Sequence, residues 1–118
     1  MAAREIIGIV QRYLARLCEE HLPVEGLVLY GSHARGGGGA ESDIDVLVLL
    51  NDRLTGAEID RLWTRLEHLT IGVDTRIEPW PVTAQRFAED DVSPLLIAAR
   101  REGIRIMPEK ALRADLSR

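Results

Sequence analysis

Cysteine is nearly absent from this 118-residue chain. Cys18 stands alone, so no disulfide can form within the chain and the sequence suits a reducing compartment. A basic excess is missing as well. Fifteen Lys and Arg face nineteen Asp and Glu, for a net charge of −4 and a pI near 5.4. A general nucleic-acid binder is expected to carry a basic patch and a high pI. Long apolar runs are also lacking. The longest runs, such as Val46 to Leu50, are far short of the roughly 20 residues that a membrane-spanning helix needs. The opening stretch MAAREIIGIVQR has neither the long apolar segment nor the cleavage site of a secretory leader. There is no internal repeat. The one biased segment, Gly36 to Gly39, is too short for an interdomain linker. These absences leave a small acidic domain, expected in the cytoplasm, away from membranes and not bound directly to nucleic acid.

What is present fits one globular unit. Hydrophobic residues make up 46% and charged residues 29% of the chain, which is ordinary composition for a packed core. The expected division is a single domain over 1–108 and a C-terminal tail over 109–118. Ile6, Val10, Tyr13, Leu14 and Leu17 recur at helical spacing, predicting a helix from about Ala3 to His21. Leu22-Pro23 ends it, because a residue before proline is pushed out of the α region. Leu27 to Tyr30 reads as a short buried strand. Ile44 to Leu50 reads as a central strand covered on both faces. Thr55-Gly-Ala-Glu58 has the form of a capping box, opening a helix expected to bury Ile59, Leu62, Trp63, Leu66 and Leu69. From Ile71 to Glu78 apolar and charged residues alternate, predicting a strand that Pro79-Trp80-Pro81 stops. Thr83 and Ser93-Pro94 are helix starts, Gly103 is a helix stop, and Ile104 to Met107 is a short last strand. The fold class is therefore α/β (α+β), a small mixed sheet backed by helices.

One segment carries chemistry: Leu29-Tyr-Gly-Ser-His-Ala-Arg35, the glycine run, then Ser42-Asp-Ile-Asp45-Val-Leu-Val. Gly31-Ser32 follows a strand and opens a turn. Glycine lets backbone amides approach a ligand closely, and consecutive exposed amides make an anion site. Ser32 adds a hydroxyl and Arg35 a cationic fork suited to phosphate oxygens. Together they form a candidate triphosphate cradle. Asp43 and Asp45, at i and i+2 on one strand, project to one face. Carboxylates this close repel unless a cation lies between them, and hard oxygen ligands suit Mg²⁺. Asp74 sits on the polar face of the alternating segment. If that strand pairs beside the first, three carboxylates could hold two metal ions about 4 Å apart. Taken singly, a Gly-Ser turn or an Asp-x-Asp pair is as well explained by an ordinary turn or a solvated strand edge. Their order and spacing together are what count.

The pattern G-S-x₁₀-D-x-D resembles that of the DNA polymerase β-like nucleotidyltransferases. The fuller string from GSHARG to SDIDVLV is similar to that of the minimal nucleotidyltransferases. The resemblance covers Leu27 to Glu78 with motifs and extends more loosely to the end. It implies a mixed sheet with Mg²⁺, two ions by expectation, and a nucleoside triphosphate, ATP by preference, at one face. By position Gly31 and Ser32 match the phosphate turn, Arg35 the arginine after it, and Asp43 and Asp45 the paired metal ligands. Asp74 matches the third carboxylate, a metal ligand or base. Glu78, four residues on, is its competitor, set second because it borders Pro79. Arg76, between them, could contact the triphosphate or form an ion pair. The glycine run is more flexible than this loop usually is, which raises the cost of ordering it but removes no functional side chain.

Other residues read more simply. His33 lies inside the motif where several residue types would serve. His21 and His68 suit solvent-facing helix ends. Cys18 and Trp63 read as core, and Arg100-Arg101 as a solvated face. Trp80, between two prolines, could pack or could stack on a base or partner. The resemblance further implies transfer of a nucleoside monophosphate, AMP from ATP, to a hydroxyl acceptor. It also implies a partner of the helical HEPN class, with this chain as antitoxin. The alternatives are a non-catalytic module that neutralises a partner by contact, and a small-molecule nucleotidyltransferase. A domain this small has room for one wall of a two-substrate site, so the other wall is expected from a second chain, whether a partner or a second copy.

Overall fold

The computed structural model describes residues 3–39 and 41–108. The expected tail over 109–118 lies outside the described residues. Four strands and four helices follow in the order α1 (Ala3–Glu19), β1 (Val24–Tyr30), β2 (Ile44–Leu50), α2 (Gly56–His68), β3 (Ile77–Thr83), α3 (Ala84–Glu89), α4 (Pro94–Glu102) and β4 (Ile104–Ile106). The sheet order is β3-β2-β1-β4. β1 runs antiparallel to both β2 and β4, whereas β2 and β3 are parallel. A parallel pair needs a crossover, and α2 supplies it.

Period-two alternation sorts the strand residues onto two buried faces. Leu27, Leu29, Ile44, Val46, Val48 and Leu50 pack against Ile6, Val10, Tyr13, Leu14 and Leu17 of α1 and Leu66 of α2. Val28, Leu47, Leu49 and Val82 pack against Phe87 of α3 and Leu96 and Ala99 of α4. β2 is thus covered on both sides, as its continuous apolar run predicts. No helix among the described residues is long and apolar enough to cross a membrane.

Local signals account for most boundaries. The backbone N–H of Glu58 donates to Thr55 Oγ1 at 3.2 Å and Thr55 N–H donates to Glu58 Oε1 at 3.0 Å, closing the capping box. Thr83 Oγ1 accepts from Arg86 N–H at 3.1 Å, and Val82 and Phe87 share one core cluster. His21 takes a positive φ of 58°, with Leu22 N–H donating to Leu17 carbonyl at 3.2 Å. The left-handed residue and the six-to-one bond close α1.

Three expectations are corrected. The strand expected over Ile71–Glu78 is β3, displaced to Ile77–Thr83. Residues 70–76 instead form turns. Val73 and Asp74 N–H groups both donate to Thr70 carbonyl at 3.0 Å, Gly72 adopts φ +92°, and Ile71 is exposed. Pro79 and Pro81 lie inside β3 rather than beyond it. Ile44 N–H donates to the Arg76 carbonyl at 2.8 Å, which sets the phase of the parallel ladder. Even-numbered residues of β3 then bond to β2, and the odd-numbered prolines place their donor-less nitrogens on the outer edge. Second, Cys18 is exposed rather than core, one step round the helix from Leu14 and Leu17. Third, Trp63 is 37% exposed. α2 buries Leu66, with Ile59 and Leu62 partly buried against the same core and Leu69 buried just past its end. Trp63 reaches the edge of β3 instead, where its Nε1–H donates to Pro79 carbonyl at 3.1 Å.

Candidate active site

Only part of the sheet's second face is covered by α3 and α4. At the end where β1 stops and β2 begins, Tyr30, Asp45 and Glu78 occupy one row across three strands. Tyr30 is the register partner of Asp45, and Asp45 is that of Glu78. Adjacent strands lie about 4.8 Å apart, so side chains in such a row on one face are neighbours.

The turn after β1 closes on this row. Gly31 has φ +78°, and a Cβ there would run into Asp45 Oδ2. The backbone therefore passes the carboxylate as closely as only glycine allows. Arg35 N–H donates to Gly31 carbonyl at 3.3 Å and Gly37 N–H to Ser32 carbonyl at 2.9 Å, giving one helical turn. His33 organises the loop beyond this turn. Its ring is buried, its Nε2 lies 3.3 Å from Ser42 carbonyl, and Gly38 packs so tightly on it that a Cβ would overlap the imidazole. The glycine run is thereby folded over a histidine, which is a structural task rather than one read from the motif.

Asp43 is exposed at the mouth of the site and Asp45 half-buried behind it. Burial, and then the charge of Asp43, hold the Asp45 carboxyl above its ordinary range, partly offset by His33 and Arg35. The Tyr30 hydroxyl is pushed up to about 12, by burial and then by Asp45 and Glu78. Negative charge converges here without full compensation. Arg35 is exposed and lies 3.8 Å from Glu102 of α4.

The structure brings Gly31, Ser32, Asp43 and Asp45 together and adds Glu78. It does not bring in Asp74 as the expected strand would have done. Asp74 lies in the turn before β3. Its carboxylate accepts from Arg76 N–H at 2.9 Å, from Nε at 3.0 Å and from Nη2 at 2.7 Å. Those bonds hold its carboxyl below the usual range. The helix start at Thr83 could have revealed the displacement. Seven residues counted back from it, to match the seven of β2, begin at Ile77 and set Glu78 beside Asp45.

Two clefts flank the row. One, of about 430 Å³, follows the outer edge of β3 and is lined by Asp45, Glu78, Trp63, Glu67, Thr70 and Trp80 among others. The other, of about 350 Å³, lies between the Gly31 turn and α4 and is lined by Arg35, Leu95, Ala98 and Glu102. Tyr30 borders both.

Residues 10–91, which span β1, the turn, β2 and β3, match the nucleotidyltransferase domain family. The chain belongs to that family. This nucleotidyltransferase domain shares its fold with a candidate nucleotidyltransferase from Sulfolobus solfataricus, at TM-score 0.61 and 13% identity, over 92% of this chain and 85% of that one. A toxin–antitoxin structure with AMP-PNP contains a similar chain, at TM-score 0.52 and 18% identity, over 86% and 76%. A candidate minimal nucleotidyltransferase is 28% identical over 88% and 95%, at TM-score 0.46. No curated protein sequence matches this chain.

The donor chemistry of the nucleotidyltransferase site fits a hard divalent cation. Asp45 offers its carboxylate from β2 and Asp43 from the residue before the strand, rather than both from one strand as expected. The two charges act on each other, and Asp45 is held in a buried setting that a cation would relieve. Among the described residues no three acidic, histidine or cysteine side chains converge as a closed metal site. Two carboxylates suit Mg²⁺, which keeps waters and shares the phosphate oxygens of its substrate.

Proposed function

We propose that this nucleotidyltransferase domain transfers a nucleoside monophosphate, AMP from ATP, to a hydroxyl acceptor. The row Tyr30–Asp45–Glu78, with Gly31 pressed against Asp45, carries the reading. In this reading the turn after β1 binds the anion, the aspartates at the start of β2 bind the metal, and Glu78 on β3 is the third carboxylate.

Gly31 and Ser32, with Arg35 beside them, hold the triphosphate. Asp43 and Asp45 would hold Mg²⁺, two ions by expectation, which when bound would supply charge neutralisation to the triphosphate. Glu78 takes the place expected of Asp74. The acceptor oxygen bonds to the α-phosphorus as the bond to the bridging oxygen of pyrophosphate breaks. The acceptor's proton passes to Glu78 and then to water. Positioning and electrostatics do most of this work.

We further propose that the acceptor lies on a protein partner, which closes the uncovered end of the sheet. The similar chain in a toxin–antitoxin assembly with AMP-PNP supports this, as does the resemblance to minimal nucleotidyltransferases, which points to a HEPN-class partner and an antitoxin role. The test is pyrophosphate release from ATP with Mg²⁺ and co-purified partner. Release in the parent and its loss in Asp45→Asn, with the fold retained by circular dichroism, is expected. Equal release in Asp45→Asn, or none in the parent, overturns the reading. Neutralisation of the partner by a release-dead variant would favour the contact-only module.

A further inference from the structure

We infer that the cleft along the outer edge of β3 is the acceptor subsite, and that it selects a hydroxyl on a positively charged protein segment. The inference rests on the proposed transfer reaction and adds the substrate class.

Strand order fixes the direction. The phosphate turn follows β1, Asp45 lies on β2 with Asp43 just before it, and Glu78 lies on β3. Two strand spacings, about 10 Å, separate the first from the last. An in-line displacement places the attacking oxygen opposite the leaving pyrophosphate. With pyrophosphate at the β1 side, the acceptor enters from the β3 side. The cleft of about 430 Å³ opens there.

Its walls state what enters. Beyond Glu78 lie Glu67, Thr70 and the indoles of Trp63 and Trp80. Among the described residues that line it there is no lysine or arginine, whereas the groove on the β1 side contains Arg35. Cations bound at Asp43 and Asp45 would serve those two carboxylates, and Glu67 lines the cleft beyond them. Indole faces beside a carboxylate are suited to a guanidinium or ammonium group. A polyphosphate chain is repelled by the same lining. Trp63 is held for this task by its bond to Pro79 carbonyl at 3.1 Å, while 37% of the residue stays exposed.

The chain's two tryptophans both line this cleft, so intrinsic emission reads its occupancy. The probes are the end-capped peptides Gly-Arg-Ser-Arg-Gly and Gly-Glu-Ser-Glu-Gly and a single-stranded oligoribonucleotide, each titrated with Mg²⁺–AMP-PNP present. The arginine peptide should shift the emission at the lowest concentration. Glu67→Lys, an exposed change on α2, should weaken its binding by about fivefold while AMP-PNP affinity by calorimetry stays unchanged. Binding of neither peptide, the same affinity in Glu67→Lys, or preference for the oligoribonucleotide overturns the inference. Failure of the parent to bind Mg²⁺–AMP-PNP at all would instead bring down the transferase reading beneath it.

Discussion

Glu78 stands beside Asp45 as its register partner across the parallel β2–β3 pair. The Asp74 carboxylate is turned to Arg76, 2.7 Å away. The two acids lie only four residues apart, yet the structure gives one to the candidate site and the other to an ion pair. Substitution separates them. Glu78→Gln should lower transfer about 100-fold or more, as loss of a general base does, with little change in ATP binding. Asp74→Asn should keep most of the activity. Single-turnover rates on both variants provide the check.

Asp74 has its own signature in stability. Its carboxyl is held below the usual range by the bonds from Arg76. A group depressed on folding contributes stability above its unfolded value, near 3.9 for aspartate, and loses it as pH falls through the folded value. Asparagine can still accept from the Arg76 backbone but carries no charge. Urea midpoints of parent and Asp74→Asn should therefore differ at pH 7 and converge as pH falls through the lowered folded value of Asp74.

Gly31→Ala joins two penalties. The residue sits at φ +78°, where an L side chain costs about 1–2 kcal/mol, and its Cβ would displace the Asp45 carboxylate. Stability should fall by about that amount. Transfer should fall about 100-fold, since displacing a reacting group by an ångström has that scale of effect. Comparing urea midpoints with kcat separates the two.

His33→Ala should act on the loop rather than on the chemistry. The ring anchors Ser42 and carries Gly38. Without it the glycine run must be ordered by the ligand, so ATP affinity should weaken by about tenfold, while the rate at saturating ATP changes less. Calorimetry beside saturated kinetics checks this.

Much of the fold is legible in the sequence because local signals agree with packing. The apolar run Val46–Leu50, the capping box at Thr55 and the caps at Thr83 and Ser93 each mark an element that the structure contains. The placements of Gly31 and Ser32 follow from the turn and that of Asp45 from strand alternation, whereas Asp43 lies one residue before β2. The third strand is displaced because alternation at Ile71, Val73 and Ile77 imitates a strand. The deciding fact is tertiary: an outer edge that tolerates Pro79 and Pro81. Trp63 escapes for a similar reason. Helical spacing puts it near the stripe, but the position of β3 decides which side of α2 is buried. His33 has no sequence signal at all, because its partners are a carbonyl and a glycine backbone brought back by the loop.

The central claim, that the carboxylate row serves nucleotidyl transfer, is tested most directly by which phosphate moves. The co-purified partner is incubated with the chain, Mg²⁺ and ATP labelled at either the α- or the γ-phosphate. Label should appear on the partner from α-labelled ATP alone, and disappear with Asp43→Asn. Label from γ-labelled ATP, or undiminished α-label with Asp43→Asn, would contradict the account.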